Sequence, residues 1–237
     1  MKTRLSVVMI TLNSEKYLKE SLSSALFADE VLILDAGSID NTVKIAKDLG
    51  VKVYQEPWKG FGRQKQRAVE LAKNEWIFVL DSDEVITEAL KREVLEVIKK
   101  NEYDGFFVPR LNYFFGKPIK RCGLYPDYSL RLFKKSKGRF TEDEVHERVL
   151  INGKTGCLKS YMLHYAYETI EEFIEKQNRY STLGAKPNKL KAIFAPLWTF
   201  FKLYFLKLGF LEGWHGFVIS VLYSQYTFWK YTKKSLK

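Results

Sequence analysis

Cysteine is scarce. Cys122 and Cys157 are the only two in 237 residues, too few and too far apart for a disulfide framework or a zinc site. Ordinary reduced thiols, and with them a cytosolic setting, are what they support. Long apolar runs are missing as well. The longest uncharged stretch, residues 213–229, has 17 residues and includes His215, Ser220, Ser224 and Gln225, whereas a membrane-spanning helix takes about 20 apolar residues. The opening MKTRLSVVMITLN turns polar after a short apolar run, unlike a secretory leader. No internal repeat or low-complexity segment appears. Gly60 and Gly62 lack the Lys-Ser/Thr ending and the spacing of a phosphate-cradling loop, and read instead as hinges of a mobile loop. Acid is nearly absent from residues 189–237, where eight Lys face the single Glu212. The first 188 residues are only mildly basic, so the net charge of +11 is concentrated in the tail.

What is present is a chain that folds around a core, with 46% hydrophobic and 28% charged residues. Its first 81 residues alternate in period. LSVVMI (5–10), EVLILD (30–35), VKVYQ (51–55) and WIFVLD (76–81) read as strands. Helical patterns separate them: 15–26, a short helix capped by Asp40 or Asn41, and one from about Arg63 to Lys73. This alternation predicts right-handed βαβ crossovers, a mostly parallel sheet and an α/β fold. Beyond Glu84, Thr87 caps a helix to about Lys100. GFFVPR (105–110) and YSLRLFKK (128–135) are further strands, 145–165 is a hairpin or meander turning at Asn152-Gly153, and a helix runs from about Ile170 to Tyr180.

In such sheets ligands collect beyond the carboxyl ends of the strands. Those ends here are Thr11-Leu12-Asn13, Asp35-Ala36-Gly37-Ser38, Glu56 with its loop, and Asp81-Ser82-Asp83-Glu84. Crowded carboxylates repel one another and are costly to bury, so a positive group belongs among the last set. A divalent cation such as Mg²⁺ or Mn²⁺, completed by diphosphate oxygens, suits such a pair. The plainer alternative is that Asp81 and Asp83 cap the segment that follows.

The ordered set TLNSEKYLKESLSSALFADEVLILDAGSIDNT and GFGRQKQRAVELAKNEWIFVLDSDE resembles the family 2 glycosyltransferases of GT-A fold. VHERV (145–149), LHYAY (163–167) and IEEFIEKQNRYSTLGA (170–185) resemble the branch containing lipopolysaccharide-core β-glucosyltransferases. The likeness covers nearly the whole chain. It implies a nucleotide-binding half (1–100) and an acceptor-side half (101–188) with added antiparallel strands, followed by the tail (189–237). It also implies that Thr11, Asn13 and Asp35 hold base and ribose, that Asp81-Ser82-Asp83 meets ribose and diphosphate, and that Asp83 binds the metal. Arg63, Lys65 and Arg67 are candidates for approaching the diphosphate; a solvated helix face is the alternative, for Lys65 above all. The catalytic base implied is Glu147, or Asp143 by analogy with other members, with His146 orienting the carboxylate or touching the acceptor. His164 could join Asp83 on the metal or be a hydrogen-bonded structural residue.

The resemblance thus implies a metal-dependent, inverting hexosyltransferase. Its donor would be a nucleotide sugar, UDP-glucose or a relative, and its acceptor a lipid-linked glycan. The rivals are a sugar nucleotidyltransferase, disfavoured because TLNSEKYL stands where a Gly-rich, Arg-containing loop belongs, and a non-catalytic nucleotide-sugar-binding protein at the membrane. A receiver-like signalling module needs an acidic pair after the first strand, where Thr11 and Asn13 stand. The tail carries three of the five Trp and reads as two amphipathic helices lying in an anionic membrane interface, on the cytoplasmic face of the plasma membrane. The alternatives for it are packing on the globular part or a homo-oligomer interface. Without a basic groove its aromatics do not suit nucleic acid.

Overall fold

The computed structural model describes residues 3–141 and 148–234. Four parallel strands form its first half: β1 (Leu5–Thr11), β2 (Glu30–Asp35), β3 (Lys52–Gln55) and β4 (Trp76–Val79). They pair in the order β3-β2-β1-β4. Helices α1 (Glu15–Ala25), α2 (Thr42–Asp48) and α3 (Phe61–Leu71) make the crossovers. β1 shows why the sequence run is apolar throughout. Val7 and Met9 pack with Leu18 and Leu22 of α1, while Val8 packs with Ala68 and Val69 of α3. Alternate side chains therefore enter two different cores, one on each face of the sheet.

The chain then leaves β4 through residues 80–83 and enters β5 (Glu84–Ile86), which the sheet places at its other edge. Helix α4 (Glu88–Lys100) follows, capped as expected by Thr87, whose hydroxyl accepts from the Leu90 amide at 3.2 Å. Strands β6 (Gly105–Phe114), β7 (Lys117–Pro118), β8 (Asp127–Lys134), β9 (Gly138–Phe140), β10 (Val149–Ile151), β11 (Thr155–Cys157) and β12 (Met162–Tyr167) complete the β structure. From β4 the sheet continues β8-β6-β12-β5, with β4–β8 and β12–β5 antiparallel.

Asn152-Gly153 does not turn a hairpin. β10 pairs with β9 in a separate two-stranded ribbon, and β11 pairs parallel with β6. Asp104 accounts for this: its carboxylate accepts from the Lys154 amide at 3.0 Å and meets Lys134 Nζ at 3.0 Å, and its own amide donates to the Lys154 carbonyl at 2.7 Å. The corner is thereby tied to β6 and β8. A Cβ at Gly153 would lie 2.2 Å from the Asp104 carboxylate.

Two compact units result, Met1–Arg110 with Tyr128–His164, and Leu111–Asp127 with Tyr165–Lys237. The second contains α5 (Ile170–Leu183), α6 (Lys189–Phe201), an irregular helical connector (202–212) and α7 (Trp214–Thr232). Its core joins Phe114, Ile119, Cys122, Phe173, Ile219 and Leu222. Burial pushes the Cys122 thiol up to about 11, which keeps it protonated, and neither cysteine is bridged. No helix among the described residues is long and apolar enough to cross a membrane.

Within this unit α7 meets the connector backbone to backbone. A Cβ on Gly216 would fall 1.8 Å from the Gly209 carbonyl oxygen. Gly216→Ala is therefore expected to cost about 2–3 kcal/mol, read as a lower urea midpoint, whereas Gln225→Ala on the exposed face of α7 leaves the midpoint nearly unchanged.

Candidate active site

The loops after β1 and β2 are stitched together by side chains that the sequence placed at the strand ends. Asp35 is fully buried. Its Oδ1 accepts from the Thr11 hydroxyl at 3.0 Å and from the Ser38 hydroxyl, and its Oδ2 accepts from the amides of Gly37 and Ser38 at 3.0 and 2.9 Å. Burial pushes the carboxyl up, but the bonds from Ser38, Thr11 and Gly37 together outweigh it and hold Asp35 below the usual range. It is an ionised brace. Asn13 sits in the left-handed region at φ 49°, a conformation asparagine tolerates. There its amide donates to the Ser38 hydroxyl at 2.8 Å and its Oδ1 accepts from the Ile39 amide at 3.0 Å. Glu15 likewise accepts from the Asn41 amide and side chain at 2.9 and 2.8 Å, which ties α1 to the start of α2.

The positive groups among the acids of residues 81–84 are, for two of them, side chains of the protein itself. Arg131, on β8 and only 5% exposed, donates from Nη2 to Asp81 Oδ2 and to Glu84 Oε1, both at 2.6 Å. Lys65, buried on α3, meets Asp81 Oδ1 at 3.0 Å. Glu84 is wholly buried; its Oε2 accepts from the Asp81 amide at 3.0 Å, and Arg110 of β6 stands 3.6 Å from its Oε1. Burial alone would raise the Asp81 carboxyl, but Arg131 and then Lys65 hold it far below the ordinary range. Burial would lower the Arg131 guanidinium, and its two carboxylate partners more than reverse that.

Asp83 is different. More than a third of its side chain is exposed, and Oδ2 lies 3.6 Å from His164 Nε2. The register of β12 on β5 sets His164 opposite Glu84, which places the imidazole beside the acid one residue earlier. Ser82 is half-buried between the two aspartates.

The basic residues of α3 separate by helical phase. Lys65 turns inward to Asp81 and is no solvated face. Arg67 pairs with Glu56 at 2.7 Å, which also holds Lys59 at 2.9 Å, and Arg63 lies exposed. Gln64, fully buried, reaches the Glu56 carbonyl at 3.4 Å, and its Oε1 has no hydrogen-bond partner. Asp143, His146 and Glu147 lie outside the described residues. The residues on either side of that segment bond to each other: the Thr141 amide donates to the Arg148 carbonyl at 2.8 Å.

Arg131 and Arg110 are the residues that the sequence analysis missed. The signal was there in YSLRLF, where a lone arginine interrupts an apolar strand facing a sheet that ends in acid. A buried cation in that pattern needs a buried anion.

A model described as Glycosyl transferase family 2 matches residues 6–162. The chain is 32% identical over 243 residues to the lipopolysaccharide core biosynthesis glycosyltransferase LpsC of Rhizobium meliloti (strain 1021), covering 96% of this chain and 90% of the relative. It is 28% identical over 242 residues to an uncharacterized glycosyltransferase of Rickettsia bellii (strain RML369-C), covering 93% and 82%. The crystal structure of S. aureus TarS 1–349 in complex with UDP has a TM-score of 0.52 at 19% identity, covering 89% of this chain and 75% of that one; this likeness is one of fold.

Removing Arg131 leaves two acids without their shared counter-charge. Arg131→Met is expected to cost about 3 kcal/mol at neutral pH, the low end for a broken buried pair because Asp81 keeps part of its surface in water. The depressed Asp81 carboxyl contributes stability above its unfolded value of about 3.9, and loses it as pH falls through the folded value. Urea titrations should therefore show the gap between wild type and variant narrowing below about pH 4.

Proposed function

Because the chain belongs to glycosyltransferase family 2, we propose that it transfers a hexose, glucose or a close relative, from a UDP-sugar to a lipid-linked glycan such as a lipopolysaccharide core, with inversion at the anomeric carbon. The observation that carries this reading is the arrangement of the acids. Asp81 and Glu84 are neutralised within the protein, while Asp83 and His164 face each other, partly open, at the end of the sheet. The donor class is supported by TarS, solved with UDP and with UDP-GlcNAc, and the acceptor class by the lipopolysaccharide core named for LpsC.

Mg²⁺ or Mn²⁺ is the proposed cation. Among the described residues no three His, Cys, Asp or Glu side chains gather to hold a metal ion. One carboxylate and one imidazole nevertheless fit a hard divalent ion, which takes few protein ligands and fills its shell with phosphate oxygens and water. Asp83 and His164 would hold it, and when bound it supplies positive charge to the departing diphosphate.

The chain's own residues carry the remaining roles in this reading. Thr11 and Asp35 fix the loop that receives base and ribose, and Asn13 presents its exposed turn to them. Arg63, exposed at the start of α3, and Arg67, paired with Glu56 one turn further on, are the arginines placed to approach the diphosphate. The acceptor hydroxyl attacks the anomeric carbon from the face opposite the diphosphate. The carbon–oxygen bond to the diphosphate breaks, and the hydroxyl proton passes to Glu147, with Asp143 as the second candidate.

Three measurements test this. Asp83→Ala should abolish cation-dependent UDP binding in calorimetry along with turnover, and retained cation-dependent binding removes the metal assignment. Glu147→Gln should spare UDP binding and lower the transfer rate by about 10²–10⁴; if Asp143→Asn alone does so, the base is Asp143. Thermal stabilisation across a panel of nucleotide sugars identifies the donor through the affinity it reports.

A further inference from the structure

Helix α6 packs one side on α7. Ala192 is buried, the Ser224 hydroxyl donates to the Pro196 carbonyl at 2.8 Å, and Thr199 meets Thr227 at 3.2 Å. Its other side is exposed among the described residues. Leu190, Ile193, Phe194, Leu197, Trp198 and Phe201 recur there at helical spacing, and the first five are 57–70% exposed. The connector and the start of α7 carry the same exposure on to Leu206, Leu211 and Trp214, the last 73% exposed. A row of large apolar side chains of this extent is unusual on a protein surface that meets only water.

Charge identifies what covers it. Lys186, Lys189, Lys191, Lys202 and Lys207 are exposed on or beside α6 and the connector. The single acid of the tail, Glu212, is withdrawn from that surface. Its side chain is only 10% exposed and pairs with Lys117 at 3.1 Å, and its Oε1 accepts from the amides of Lys120 and Arg121 at 2.9 and 3.1 Å. Burial pushes the Glu212 carboxyl up, but those bonds and Lys117 hold it below its ordinary value, so it stays ionised and occupied. The residues from 189 to 234 thus offer apolar and aromatic side chains fringed with lysine and no competing surface carboxylate. A second copy of this chain, docking the same face, would set lysine against lysine.

We infer that the outer face of α6 and the connector is a monotopic docking surface for an anionic phospholipid bilayer. The Phe, Leu and Trp side chains enter the headgroup boundary and the lysines meet lipid phosphate. No helix among the described residues is long and apolar enough to cross, so the contact lies in the plane of the membrane. This inference is independent of the donor chemistry.

The test is cosedimentation of the full chain with vesicles of phosphatidylcholine alone and of phosphatidylcholine with phosphatidylglycerol in equal parts. Binding is expected to the mixed vesicles, to weaken with salt, and to shift Trp emission to the blue. The double variant Phe194→Ser/Trp198→Ser should lower the partition coefficient at least about tenfold. Lys202→Glu/Lys207→Glu should remove the preference for the anionic lipid while UDP binding and the melting temperature hold. Absence of binding to the mixed vesicles overturns the inference, and so does binding that both variants retain. Concentration-dependent dimerisation in ultracentrifugation, lost in the Phe194→Ser/Trp198→Ser variant, assigns the face to a second copy instead.

Discussion

Arg131 is the constraint around which the site is organised. A guanidinium only 5% exposed lies between Asp81 and Glu84, at 2.6 Å from each. Strand adjacency brings Asp81 and Arg131 together, and the short link through residues 80–83 brings Glu84 to the same guanidinium. β4 delivers Asp81, β8 beside it delivers Arg131, and β5, at the far edge, delivers Glu84. Without a cation in the middle, the crossing from β4 to β5 would bring two carboxylates together in a site with little water to screen them. Broken, such a pair is strongly destabilising because the remaining charge stays buried. The network therefore fixes where residues 81–84 run as much as it adds to stability.

That fixed path decides what Asp83 can do. The acids on either side of it, Asp81 and Glu84, are engaged by Arg131, and Asp81 also by Lys65. Asp83 turns away from them toward His164, at a separation too long for a direct hydrogen bond. A similar division holds across the other strand ends. Asp35, Thr11 and Glu15 bind backbone amides and neighbouring side chains, so the loops after β1 and β2 hold each other in place. The acids that look most functional in sequence thus divide into those that shape the rim and one that stays open.

Much of this was legible beforehand, for reasons particular residues show. The period of β1 to β4 is unambiguous because both faces are buried, and Thr87 before a helical pattern has few other uses. The acids at the end of β4 correctly called for positive charge among them. What the local sequence could not convey is that Arg131, some fifty residues further on, would supply part of it, because strand order is a property of the whole sheet. Lys65 was hidden for the same reason: a helical lysine reads as solvated until the strand beneath it is known to end in acid. Asn152-Gly153 misled because a strong local turn signal was overruled by Asp104, a long-range partner of the Lys154 amide.

Counting charge around the site connects its architecture to its chemistry. Lys65, Arg110 and Arg131 contribute three positive charges, and Asp81, Asp83 and Glu84 contribute three negative ones. These six charges balance. A nucleotide diphosphate brings further negative charge to a place whose cations are already engaged, and at short range in a partly desolvated site that charge has to be met. A dication held by Asp83 and His164, as proposed above, would supply two units of positive charge. The internal pairing of Asp81 and Glu84 leaves Asp83 the least neutralised acid of the set, which is why the cation proposed above is assigned to it rather than to its neighbours.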